Sequence, residues 1–92
     1  MSKPVFIVET YGQYELKAKL QVEKVIPGAK AIVPIRITKN GGQTIYKKIY
    51  PGFIFAQVDE DQAHLFRRIP EILRANKLDG VSSLDEIMAR NS

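Results

Sequence analysis

The 92-residue sequence has no cysteine, no tryptophan and a single histidine. The lack of cysteine excludes disulfide bonds, thiolate zinc sites and cysteine nucleophiles, and one histidine cannot build a metal site unaided. No apolar run is long enough to span a bilayer. Glu9 interrupts the short N-terminal apolar run, so this run does not resemble a signal peptide. We therefore predict a soluble, cytoplasmic protein without a metal, a cofactor or contact with a membrane.

The length and composition predict one globular domain over residues 1–92. Apolar residues make up 45% of the chain and charged residues 26%, which is typical of globular proteins. A chain of this size can bury roughly 60 to 65% of its unfolded surface, enough for a core without covalent links. The net charge of +4 favours a polyanionic partner.

The apolar pattern predicts a mainly antiparallel four-stranded sheet with about three helices around it, an α/β arrangement of the α+β type with a protruding basic β-hairpin. The predicted elements are a strand at 4–10, a helix at 14–26, a strand at 31–34, hairpin arms at 35–38 and 44–48, a strand at 53–58, a helix at 59–69, a short strand at 72–74 and a last helix after residue 83.

Helix caps and helix phase follow from individual residues. Asp59 is predicted to cap the second helix, and Ser82 or Ser83 the last one, since Ser83 and Glu86 have capping-box spacing. In the first helix, the predicted packing stripe begins with Tyr14, Ala18 and Val22. Leu16 and Leu20 then lie on the far side, either as scattered surface residues or as a small docking stripe.

The strand at 53–58 is apolar on both faces. Because successive strand residues point to opposite sides, Ile54, Ala56 and Val58 are expected to face the core while Phe53 and Phe55 face away from it. Two aromatic side chains on the second face need a cover. That cover is either another part of this chain or a binding partner.

The hairpin at about 35–48 is the basic part of the chain. Its Gly41-Gly42 tip supplies the positive φ angles of a tight turn, within a predicted loop at 39–43. Lys39, Lys47 and Lys48 are candidates for contact with nucleic acid. The alternative is a solvated edge whose charges deter strand pairing.

Catalytic candidates are few. No nucleophile or carboxylate is positioned in sequence to pair with His64. The acids at 59–61 suit the start of a helix better than a cation loop, and Gly41-Gly42-Gln43 lacks the residues of a phosphate-binding loop. We predict that the chain is not an enzyme and has no small-molecule substrate.

Two families share parts of this pattern. Gly52-Phe53-Ile54-Phe55 resembles the consensus strand of the RNA-recognition motif, in which Phe6, Phe53 and Phe55 would stack single-stranded RNA bases. A wider resemblance is to the N-terminal domain of the NusG family of transcription elongation factors. It is carried by residues 5–9, 12–17 and 31–34, and most specifically by the Gly-Gly-Gln hairpin followed by Lys47-Lys48-Ile49-Tyr50-Pro51-Gly52-Phe53-Ile54-Phe55. The family's initial tryptophan is missing, and residues 1–92 contain no counterpart of its second domain, the KOW barrel.

The NusG resemblance implies a function and a set of site residues. Tyr50, Pro51, Phe53 and Phe55 would receive the tip of the clamp helices, a coiled coil of the largest RNA polymerase subunit. His64 would contact the opposite pincer of the polymerase, and the hairpin lysines would lie near upstream DNA. Bridging the two pincers would keep the DNA channel closed and suppress pausing, which is transcription elongation or antitermination activity.

Overall fold

The computed structural model describes residues 3–81 and 83–90, and their fold confirms the predicted α+β class. The described residues form β1 (Val5–Thr10), α1 (Glu15–Val25), β2 (Lys30–Ile32), β3 (Ile35–Asn40), β4 (Gln43–Lys48), β5 (Phe53–Gln57), a 3₁₀ helix (Glu60–Arg68), β6 (Ile72–Lys77) and α2 (Leu84–Arg90). No helix in these ranges is long and apolar enough to cross a membrane.

The main sheet has four antiparallel strands in the order β2-β5-β1-β6. Strand β1 lies between β5 and β6, as expected for a strand that is apolar at nearly every position. Strands β3 and β4 pair with each other in a separate two-stranded ribbon. The chain measures 47 × 28 × 18 Å.

The two faces of the main sheet carry separate apolar clusters. The first face packs against α1 and the 3₁₀ helix, and its cluster includes Ile54, Ala56 and Val58. The second face packs against α2, where Phe55 and Val5 are buried with two residues of that helix. The predicted alternation along β5 is therefore confirmed, and a helix of this same chain covers part of the second face.

The first helix has the predicted extent, but its buried stripe begins one residue later than predicted. Tyr14 precedes the first helical residue and is exposed, whereas Glu15, Ala18 and Val22 are buried. These three positions are spaced i, i+3 and i+7, which is the spacing of one helix face. Glu15 lies outside the predicted stripe, which was drawn through apolar and aromatic residues only.

The segment after β5 is a 3₁₀ helix rather than an α-helix, and Asp59 makes no side-chain capping hydrogen bond. The 3₁₀ conformation matches the distance that the connection covers. The connection starts where β5 ends beside Val5 and finishes where β6 begins beside Thr10, so it runs the length of β1, about 17 Å. Nine residues span about 18 Å as a 3₁₀ helix and about 14 Å as an α-helix.

Three smaller predictions have different outcomes. The hairpin loop is only Gly41-Gly42, because Asn40 pairs with Gln43, so the predicted five-residue loop is wrong. The strand β6 extends to Lys77 rather than to residue 74. The cap of the last helix is confirmed at Ser83, whose Oγ accepts a hydrogen bond from the Glu86 N–H, and Ser82 lies outside the described residues.

Leu16 and Leu20 lie on the exposed side of α1, with 63% and 56% of their surface accessible. We expect Leu16→Glu combined with Leu20→Glu to change the melting temperature by no more than about 8 °C, since each exposed substitution rarely alters stability by more than about 0.5 kcal/mol and about 1 kcal/mol in total corresponds to about 4 to 8 °C in a domain of this size. Thermal unfolding followed by circular dichroism measures this. The control Val22→Glu, which places a charge in the first cluster, should unfold the chain. Loss of the fold in the double leucine variant would contradict the observed helix phase.

Candidate functional site

The candidate site is built on a tight turn between the ribbon and β5. The turn runs from Tyr50 to Phe53, and the Phe53 N–H donates to the Tyr50 carbonyl at 3.1 Å. Proline at its second position fixes φ, and Gly52 at its third has φ 84°, as a type II turn requires. The Gly52 carbonyl accepts a hydrogen bond from the Thr10 N–H at 2.7 Å. The turn is thereby attached to the end of β1.

A buried carboxylate holds this turn from the other side. The side chain of Glu15 is 2% exposed, and its two oxygens accept hydrogen bonds from the Gly52 N–H at 2.8 Å and the Lys48 ammonium at 3.0 Å. Burial acts to raise the pKa of Glu15, but the hydrogen bonds from the backbone N–H groups of Gly52 and Glu15 and from Lys48 together lower it below its ordinary value. Glu15 is therefore a charged side chain that joins α1, the ribbon and the turn.

The aromatic residues predicted for the site have different environments. Phe55 is 6% exposed and packs beneath α2 with Leu84 and Ile87. Its ring also contacts that of Tyr50 edge to face, with centroids 6.1 Å apart. Phe53 is half-buried and Tyr50 and Pro51 are exposed. We call Tyr50, Pro51 and Phe53 the turn patch, because it is the aromatic surface that α2 leaves accessible.

An ion pair that was not predicted from the sequence borders the turn patch. The strand register places Glu9 beside Phe53 on one side and beside Arg74 on the other. The Arg74 Nε lies 2.9 Å from a Glu9 carboxylate oxygen. Two residues 65 positions apart cannot be paired from sequence alone, since the pairing depends on the register of β6 against β1. The accessible part of the second face is therefore partly apolar and partly ionic.

His64 lies away from the turn patch, on the 3₁₀ helix that covers the first face. Its side chain is exposed and lines a cleft of about 580 Å³ between this helix and β6. Phe6 and Phe66 form part of the cleft wall, and Arg67 and Arg74 also line it. The structure does not bring His64 together with the aromatic residues of the predicted site, and it places the two surfaces on opposite faces of the sheet.

The ribbon separates the three candidate lysines. Lys47 shares one ribbon face with Arg36, directly across from it, while Lys39 and Lys48 belong to the other face. Lys48 is engaged by Glu15. Within residues 3–81 and 83–90, neither Arg36, Lys39 nor Lys47 has an ion pair. Arg36 was not among the residues predicted from the sequence. Arg36 and Lys47 are equally distant from the Gly41-Gly42 turn, and this spacing could have indicated that they lie opposite each other.

The alternative interpretation, an RNA-recognition motif, requires its three base-stacking aromatic residues to lie on one face of the sheet. Phe6 instead pairs with Ala56 in the register and is buried on the first face against Phe66, with ring centroids 5.4 Å apart. Phe55 lies on the second face beneath α2. Phe6, Phe53 and Phe55 therefore do not form one platform, which argues against base stacking as in the RNA-recognition motif.

No protein-family model matches this chain, and a search of curated proteins finds no match either. Among the described residues, no group of three His, Asp or Glu side chains could hold a metal ion.

The buried contact of Glu15 leads to a pH-dependent prediction. We expect Glu15→Gln to lower the free energy of unfolding near neutral pH by about 1 to 3 kcal/mol, since it removes the charge that Lys48 and the Gly52 N–H face. The pKa of Glu15 is lower in the folded chain than its ordinary value of 4.5. The contribution of the Glu15 charge to the free energy of unfolding is therefore complete above pH 4.5, and it is lost as the pH falls through the folded-state pKa.

The measurement is denaturant unfolding of both proteins across this pH range. The stability difference between them should shrink steadily on acidification. Lys48→Met serves as the matched control, because it removes the ammonium and leaves the Gly52 hydrogen bond. A difference that stays constant down to pH values well below 4.5 would show that the charge of Glu15 does not stabilise the fold.

Proposed function

We propose that this chain is the polymerase-binding domain of a transcription elongation or antitermination factor, similar to the N-terminal domain of NusG-family proteins. The observation that carries the proposal is the turn patch. It is an aromatic surface left accessible by α2, at the residues where the sequence resemblance implies contact with the clamp helices of RNA polymerase. The proposal gives the chain a binding role without catalysis and without a cofactor.

The contacts around the turn patch suit the tip of a helical hairpin. Phe53 is half-buried without belonging to either buried cluster, so a partner can cover the rest of its ring. Phe55 lies underneath and supports Tyr50 through the edge-to-face contact. Its proposed role is to orient Tyr50 rather than to touch the partner. The Glu9–Arg74 ion pair beside Phe53 favours a docking segment that is apolar at its centre and charged at its margin.

A second contact, around His64, is proposed for the opposite pincer of the polymerase. His64 lies on the helix that covers the first face, and the turn patch is on the second face. Two binding surfaces on opposite faces of one thin sheet suit a domain that is held between two parts of a larger machine. If binding favours the closed clamp by about 1.4 kcal/mol, the ratio of closed to open polymerase rises about tenfold, which opposes pausing.

The ribbon is proposed to lie near upstream DNA. Arg36 and Lys47 are directly opposite each other, and like charges in this position destabilise a strand pair by a few tenths of a kcal/mol or more. A phosphate backbone beside them would remove this repulsion and replace it with attraction. The paired Lys48 is better assigned to holding the base of the ribbon than to DNA.

We expect Phe53→Asp to abolish binding to RNA polymerase while the chain remains folded, because the new charge would lie where an apolar helix tip docks. Pull-down with purified core polymerase measures binding, and circular dichroism measures folding. Ile37→Asp is the matched control, since it adds the same charge at an exposed ribbon residue outside the turn patch. Unfolding of Phe53→Asp, or unchanged binding, would remove Phe53 from the proposed contact.

For the ribbon, we expect Arg36→Gln with Lys47→Gln to weaken binding to duplex DNA and to flatten its salt dependence. Each phosphate contact that is lost reduces the slope of log affinity against log salt by about 0.9. Lys24→Gln with Lys30→Gln removes the same charge from exposed positions elsewhere and should leave the slope unchanged. Equal slopes for the two double variants would show that the ribbon does not contact phosphate.

A further inference from the structure

Strand β6 is an outer strand of the main sheet, and its second edge pairs with no other strand among residues 3–81 and 83–90. The Leu78 N–H, one residue beyond the strand, donates to the Val5 carbonyl at 2.8 Å. In an antiparallel ladder every second residue bonds the same neighbour. Counting back from Leu78, Ala75 and Lys77 therefore direct their N–H and C=O groups away from β1. These groups form a row that another extended chain can bond.

The cleft beside the 3₁₀ helix reaches this outer edge. Arg74 and Ala75 both line the cleft of about 580 Å³, although successive strand side chains point to opposite faces of a sheet. A cleft that contacts both residues extends past the edge of the strand. Its wall is apolar at Phe6 and Phe66, whose ring centroids are 5.4 Å apart. An extended chain along β6 would therefore place alternate side chains in an apolar cleft.

The charged residues around the cleft are cations. Arg67 and Arg74 line it, and no acid of the described residues does so. Arg74 is paired with Glu9, but its side chain is 72% exposed. Arg67 has no ion pair within residues 3–81 and 83–90. Strand β6 itself contains no acid. An acidic segment is thus favoured over a second copy of β6, which would bring cations together.

We propose that the outer edge of β6 and the adjoining cleft bind an extended acidic segment of a partner protein, which adds one antiparallel strand to the main sheet. A row of N–H and C=O groups at strand spacing is matched by another extended polypeptide backbone and not by a nucleic acid. Antiparallel pairing is the slightly more stable arrangement. The segment specifies the second contact around His64, and in that respect it rests on the proposed function.

The probe is a capped peptide of about seven residues in which glutamate and valine alternate, close to the length of a typical strand. In amide NMR of the whole chain we expect saturable shifts in β6, with a dissociation constant in the millimolar range. Amide exchange at Ala75 and Lys77 should slow about tenfold when about nine-tenths of the chain is bound, since only the free chain exposes these N–H groups. Exchange at Arg74 and Asn76, which face β1, should change little.

N-methylated peptides test whether the contact uses the peptide backbone. Ala75 packs against the first cluster, so its antiparallel partner lies on the same face and is a valine of the peptide. N-methylation of the valines removes the N–H groups that face β6 and should weaken binding about tenfold or more. N-methylation of the glutamates removes outward N–H groups and should have little effect. Equal loss with both methylated peptides, or loss with neither, would overturn the proposal.

Charge is tested on both partners. Arg67→Gln should weaken binding about threefold, because an attraction at an exposed site is lost. Arg68→Gln is the matched control, since it removes the same charge from the next residue, which is exposed and does not line the cleft. A peptide in which lysine replaces glutamate should bind far more weakly. Equal effects of the two arginine variants, or equal affinity for the two peptides, would rule out an acidic segment.

Self-pairing would give a different result. If exchange at Ala75 and Lys77 slows as the concentration of the chain alone rises, the edge binds a second copy and the proposal is overturned. The peptide experiment needs no polymerase. Its failure would therefore leave the Phe53→Asp test of the turn patch unaffected, and failure of that test would leave the peptide result unaffected.

Discussion

The contact of the Glu15 carboxylate with Gly52 and Lys48 is the constraint on which the turn patch and the ribbon depend. It connects residues that are 33 and 37 positions apart, at the start of α1, the base of the ribbon and the turn before β5. The turn sets the orientation of Tyr50 and Phe53. Lys48, at the end of β4, sets the position at which the ribbon leaves the sheet. A buried ion pair adds little stability over an apolar contact of the same shape, but it is directional. Its main effect here is therefore on geometry.

The main sheet has two apolar faces, and they are covered to different extents. Because β5 and β1 are apolar on both sides, each face must be covered, and α1 with the 3₁₀ helix covers the first face completely enough to bury eleven residues. The seven-residue α2 is too short to do the same for the second face. The accessible turn patch is thus the consequence of a mismatch in length between a strand and the helix above it. A docking partner would complete a layer that the described residues, 3–81 and 83–90, leave incomplete.

Sequence reasoning succeeded where one residue's neighbours decide its environment. The alternation along β5 separated Ile54, Ala56 and Val58 from Phe53 and Phe55, and the Ser83 cap was readable from spacing. It failed where contacts with distant segments of the chain determine the environment of a residue. The burial of Glu15 and the pairing of Glu9 with Arg74 both depend on how distant segments pack and pair. The engagement of Lys48 was missed for the same reason.

The ribbon differs from the rest of the fold in how it is held. Its strands pair with each other and with no further strand among the described residues, and isolated two-stranded ribbons are marginally stable in water. The repulsion between Arg36 and Lys47 weakens it further. Its amide protons should therefore exchange with solvent through local opening, at a much lower free-energy cost than those of β1 and β5. A polyanion that orders this ribbon would have to overcome that conformational entropy, so part of its binding energy would appear as slower exchange rather than as affinity.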